Sequence, residues 1–239
     1  MTLLVLDTAQ GLCSVALGRE GRVIASRSEP MTRGHQERLP VLVKAVLTEA
    51  GLPASDLAVV AATRGPGSFT GLRVGLAFAQ GLAAATGARP IGLSSLDALA
   101  VQARLARPDD PAPIAAVMDA RRGQVYLALW GPRGIGGDVD PALERSLLHA
   151  AGAMTIGDAA TLLNASRPPG RVIGSGALLV GHGWQEAWGA DGPDPEALVQ
   201  LATIQGDRTD SVGLEPLYLR TPDATPPTRL PGQPRPDRL

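Results

Sequence analysis

The 239-residue chain carries 22 basic and 23 acidic side chains, a net charge of −1, and is 44% hydrophobic but only 3% aromatic. That is enough for two small lobes with aliphatic cores. Lys44 is the sole lysine and the arginines are scattered, which excludes a protein that grips nucleic acid by itself, since phosphate binding needs clustered positive charge.

At the amino end, MTLLVLDTAQG has no basic leader region and its apolar run breaks at Asp7, so no signal peptide is expected. The longest nearly uncharged stretch, Val74 to Ala88, falls short of the ~20 residues of a membrane span. A single cysteine, Cys13, rules out an internal disulfide and suits a reducing compartment. A cytoplasmic protein is expected.

Residues 3–17, LLVLDTAQGLCSVAL, read as an apolar strand ending in Asp, a short turn and a second apolar strand. The pattern returns at 115–129, with Val5/Val117, Asp7/Asp119, Gly11/Gly123, Ala16/Ala128 and Leu17/Leu129 in register. A copy at the head of each half implies a duplicated architecture. A third strand is predicted near Arg22–Ser28. A helix near Gln36–Ala50 follows, with Leu39, Leu42, Val43, Val46, Leu47 and Ala50 at helical spacing. Gly51 and Pro53 end it. A strand at 57–63, a long helix reaching Thr86, a strand at 89–93 and a helix from Ser94 complete an α/β lobe over 1–105 with a mixed sheet. The Pro- and Asp-rich stretch ARPDDPAP at 106–113 marks the boundary. A second lobe over 106–220 holds the hairpin copy, a helix near Ile156–Ala165, a strand at Arg171–Gly174 and a helix near Pro195–Gln205. The proline-rich residues 221–239 read as a disordered tail.

The stretch RGPGSFTGLRVG raises the question of a phosphate loop. It lacks the Lys of a Walker loop, and Gly65, Gly67 and Gly71 are spaced one residue too far for a dinucleotide fingerprint. Ser68 or Thr70 can cap the following helix, whose open amides could hold an anion. Along that helix Gly67, Gly71, Gly75, Ala79, Ala83 and Gly87 recur at every fourth position. Glycine inside a helix costs ~1 kcal/mol relative to alanine, so Gly67, Gly71 and Gly75 point to close packing against another backbone, the lobe's own sheet being the plain candidate. On the opposite face Phe69, Arg73, Leu76, Ala77, Gln80 and Ala84 lie together, and Arg73 is the only charge between Phe69 and Ala88. Val41 and Ala45 of the preceding helix likewise fall outside its core stripe. Helices apolar on two faces are either sandwiched within a chain or meet a partner; these eight residues are the predicted partner interface.

The strings LDTAQGLCSVAL, RGPGSFTGLRVGLAFAQGLA, IGLSSLDALA, MDARRGQVYLALW and EPLYLR resemble, in order and over nearly the whole chain, the bacterial TsaB family, also called YeaZ; Gln124, where Glu is expected, departs from the pattern. The resemblance implies two tandem actin-like (RNase H-like, ASKHA) lobes with sheets of five-stranded type, the second lobe reduced. It also implies a part in making threonylcarbamoyladenosine in tRNA. Such proteins are non-catalytic paralogues of the transferase TsaD and bind it through helices of the first lobe. The ATPase TsaE is a third member, and tRNA is reached only through the complex. Self-pairing as a homodimer is the other use of the same face. No cofactor is implied. The catalytic relatives carry a metal-binding H-x-x-x-H where this chain has Ser95 and Leu99, and His35, His149 and His182 have no ligand-like spacing. An older peptidase-like (M22) label finds no support either: Ser68 lacks a G-x-S-x-G elbow, and Cys13 sits within a strand. The alternative from another class is an autonomous actin-like ATPase or kinase. It would need Asp7, Asp119 and Gly174–Gly176 to converge on Mg-ATP; otherwise each Asp simply caps its turn.

Overall fold

A computed structural model describes residues 1–134, 139–140, 142–166, 168–209 and 212–220; the expected tail at 221–239 lies outside them. Three antiparallel strands, β1 (Thr2–Asp7), β2 (Leu12–Arg19) and β3 (Arg22–Pro30), open the chain. They are followed by α1 (His35–Glu49), β4 (Val59–Gly65), α2 (Phe69–Thr86), β5 (Arg89–Ser94) and α3 (Ser95–Ala106). The uninterrupted apolar run Leu3–Leu6 is what a strand covered on both faces requires, and all four residues are fully buried. The first sheet has the order β3-β2-β1-β4-β5, with β1, β4 and β5 parallel.

The second half repeats this plan with β6 (Ile114–Arg121), β7 (Gln124–Arg133), β9 (Arg145–Thr155), α4 (Ile156–Ala165), β10 (Arg171–Ile173), α5 (Ala177–Val180), β11 (Glu186–Trp188) and α6 (Pro195–Gly206). Its sheet reads β9-β7-β6-β10-β11, the order of the first, and the two-residue β8 (Val139–Asp140) extends it to six strands. The fold is therefore α/β with two actin-like lobes. The reduction of the second shows in α5, a single turn standing where α2 has five.

The duplicated hairpin differs from the sequence alignment by one residue. Asp7 pairs with Ser14 but Asp119 with Val125, so the second turn is one residue shorter. Ala16 and Ala128 both face the central layer, and Leu17 and Leu129 both face outward; Val5 faces the centre whereas Val117 faces outward. A one-residue shift moves a strand's side chains to the other face, so Val5/Val117 and Asp7/Asp119 are not equivalent positions.

Helices form three layers around the sheets. α1 and α2 cover the outer face of the first sheet and α4 and α5 that of the second. α3 and α6 share the central layer, where α3 packs on β4 and β5 as well as β6 and β10, and α6 packs on β1, β2, β3 and β5. The linker between the halves is clamped by two buried arginines. Arg145 donates to the carbonyls of Asp110 at 2.7 Å and Leu143 at 3.0 Å. Arg171 donates to the Ala103 carbonyl at 2.8 Å and pairs with Asp110 at 3.2 Å. Burial lowers the Arg145 guanidinium to about 10, still charged at neutral pH.

Candidate functional site

α2 begins where β4 leaves the sheet, with Ser68 as its cap accepting from the Gly71 N–H at 3.3 Å. One face lies on the turn that follows β1. A β-carbon at Gly67 would collide with the Ala9 carbonyl, one at Gly71 with the Thr8 carbonyl, and one at Gly75 with the Thr8 hydroxyl. The close approach is fastened by hydrogen bonds from Ser68 N–H to Ala9 O (2.7 Å) and from Thr8 Oγ1 to Gly71 O (2.8 Å). The neighbour of the glycine stripe is thus the chain's own backbone.

The opposite face is open. Phe69, Arg73, Ala77, Gln80 and Ala84 are exposed, as is Val41 on α1, while Ala45 is half-buried. Val41 is 50% and Phe69 54% accessible. Leu76 corrects the sequence reading. It is only 5% accessible and packs with the outer core of the first sheet, because it sits at the edge of the exposed arc and its long side chain swings toward Leu72 and Ala79. Between α1 and α2 runs a groove of about 600 Å³ whose lining includes Leu39, Val74, Ala77 and Phe78.

Sequence reasoning missed a neighbour of this face. Residues 212–220 return to the first lobe: Gly92 N–H donates to Val212 O (2.8 Å) and Leu217 N–H to Arg64 O (2.7 Å). This sets the Tyr218 ring 5.5 Å from that of Phe69, with the Arg73 guanidinium 3.8 Å from the Phe69 centroid. The only signal in the sequence was the EPLYLR string, which carries no periodicity that reports its destination.

The second concavity, about 610 Å³, lies between the lobes and is lined by Gln10, His35, Ser68, Asp119, Ser175 and Asp191 among others. Asp7 is buried beside it and caps its own turn. Its Oδ1 accepts from Ala9 N–H (3.0 Å) and the Thr63 hydroxyl (2.5 Å), and burial pushes its carboxyl above the usual carboxylate range. Asp119 does the same in the other lobe, accepting from Arg121 N–H at 2.8 Å. Four backbone N–H groups of these turns are already paired within the chain: Gly11 with Asp191 O, Gly174 with Trp188 O, Gly176 with Val117 O and Ala177 with Gly174 O. Of the residues an ATPase reading needs, Asp119 and Ser175 line this cleft, whereas Asp7 is fully buried, with no hydrogen-bond partner for its Oδ2 among the described residues. Ser95 and Leu99 are fully buried on α3. Cys13 is buried too, its thiol raised by desolvation to about 11, well outside the range of a reactive thiolate.

Residues 23–167 match the family model described as TsaD, tRNA N6-adenosine threonylcarbamoyltransferase. The tRNA threonylcarbamoyladenosine biosynthesis protein TsaB of Escherichia coli is 41% identical over 54% of this chain and 54% of its own length, so the chain spans about half of that relative. The TsaB protein of Haemophilus influenzae is 29% identical over 92% of this chain and 94% of its own. The solved structure of YeaZ from Pseudomonas aeruginosa is 30% identical, covers 91% of this chain and 99% of its own, and superposes with a TM-score of 0.73.

Proposed function

The chain belongs to the TsaB (YeaZ) family, and on that premise we propose that it is a non-catalytic subunit of the machinery that makes threonylcarbamoyladenosine in tRNA. Its direct partner is a TsaD-like catalytic paralogue, with a TsaE-like ATPase as third member and tRNA reached only through the complex. The observation that carries this reading is the exposed face of α1 and α2. It presents Val41, Phe69, Ala77, Gln80 and Ala84 with Arg73 as the single charge on α2, a composition suited to burial rather than to water. Removing apolar area from water yields ~25 cal/mol per Å² before association costs, and the docked scaffold would hold its partner in a working conformation. The Gly11, Gly174, Gly176 and Ala177 amides, spent on the chain's own carbonyls, support the non-catalytic reading. No helix among the described residues is long and apolar enough to cross a membrane.

The test is co-purification with the paralogue from the same organism. Wild-type chain is expected to bind. Ala77→Glu, which sets a carboxylate on an exposed position of α2, is expected to lose binding while keeping the wild-type circular dichroism spectrum. Binding retained by Ala77→Glu would move the interface elsewhere, and stoichiometric Mg-ATP turnover by the isolated chain would overturn the scaffold reading in favour of an autonomous ATPase.

A further inference from the structure

Arg73 is the only charge on an 18-residue helix, yet among the described residues it pairs with no carboxylate. Its guanidinium instead rests over the Phe69 ring, and its Nε donates to the Tyr218 hydroxyl at 3.4 Å. Tyr218 is not a loose side chain reaching over by chance. Leu217 N–H is tied to Arg64 O on one side, and on the other Arg220 Nη1 donates to Ala120 O of the second lobe at 3.0 Å. The guanidinium is thus held on an open apolar face by the Phe69 ring and the Tyr218 hydroxyl, and the residues flanking Tyr218 are anchored to both lobes.

A guanidinium has five N–H donors, and a single hydrogen bond to Tyr218 engages one of them. A wholly apolar surface laid over this face would strip water from the remaining donors and leave a desolvated, unpaired cation, which is strongly unfavourable. A partner that buries the face must therefore bring acceptors, and a carboxylate matches the planar fork best. A second copy of this chain would supply it from Glu37, exposed one turn before Val41 on α1 and already accepting from Gln36 Nε2 at 2.9 Å.

We propose that the Phe69–Arg73–Tyr218 stack is the specificity element of the docking face. It is a preset cation that selects a partner surface made of an apolar helix stripe with a carboxylate facing Arg73, and it makes the carboxy-terminal strap at 212–220 part of the interface. The partner is the paralogue of the preceding section, so the proposal rests on that reading for the partner's identity. The stack sets the register of the paralogue by the fixed position of the guanidinium.

The experiment measures the affinity of the full chain for the TsaD-like paralogue at low and high salt, for wild type, Arg73→Gln, Arg73→Lys, Tyr218→Ala and Tyr218→Phe, with thermal unfolding of each variant alone. Arg73→Gln is expected to weaken binding by at least roughly thirtyfold and to remove most of its salt dependence. Arg73→Lys keeps the charge but loses the fork, and should fall between the two. Tyr218→Ala is expected to lose about tenfold and Tyr218→Phe less than about threefold, since the hydroxyl bond at 3.4 Å is long while the ring packs on Phe69, the platform of the guanidinium. Wild-type affinity and salt slope in Arg73→Gln would overturn the proposal while leaving the docking reading intact. Failure of the wild-type chain to bind at all would overturn the docking reading, and the stack's role with it.

Discussion

Gly71 shows how much a single missing side chain decides. Its α-hydrogen faces the Thr8 carbonyl, and nothing larger fits. Gly71→Ala is expected to lower stability by about 2 kcal/mol, the cost of overpacking exceeding alanine's gain in helix propensity. Gly81 lies on the same helix with no atom within 4 Å of where its β-carbon would be, so Gly81→Ala should raise stability by roughly 0.5–1 kcal/mol. Urea denaturation of the two variants beside wild type checks both signs. The spacing of Gly67, Gly71 and Gly75 made the close approach legible, but a helical wheel cannot say how far a long side chain bends. That is why Leu76, drawn on the exposed arc, turns inward while Phe69 and Ala77 remain open. Asp7 and Asp119 mislead differently: identical letters in aligned strings conceal a turn shortened by one residue, and in a strand one residue is a change of face.

Among the elements, those whose apolar period is regular were visible in the sequence: α1, α2, α4 and α6 lie within a residue or two of the predicted spans. β9 was not. Its pairing with β7 slips at three places along Arg145–Thr155, so inward and outward residues do not alternate and no period of two survives to be read. β11 and α5 span three and four residues, too few to show any period. The stretch at 106–113 stands out as a break in composition, but its proline and aspartate content says nothing of the arginines that fix it. Arg171→Ala would leave the Ala103 carbonyl and Asp110 without their buried partner and is expected to cost about 3 kcal/mol. Arg107, which pairs with Glu186 at 3.7 Å with both side chains well exposed, is the control: Arg107→Ala should change stability by less than ~0.5 kcal/mol. Thermal melts of the two variants at equal salt distinguish them.

At the scale of the molecule, the shared central layer makes the two sheets one cooperative body, since α3 and α6 bury residues contributed by both. All three tryptophans, Trp130, Trp184 and Trp188, lie in the second half, so fluorescence reports that half while far-ultraviolet dichroism reports both. The two unfolding curves in urea are expected to coincide, and a first-sheet transition resolved from the tryptophan signal would show the lobes to be separate units. The duplicated hairpin was enough to foresee two lobes; nothing in it foretold that a helix of the second would cover the sheet of the first. That crossing has a consequence for synthesis. Strands β1 to β3 leave the ribosome ahead of the helix that roofs their inner face, which is encoded some 165–205 codons later, so the nascent chain carries an uncovered apolar sheet over that interval. Such a chain should lean on co-translational chaperones to an extent that its modest size would not suggest.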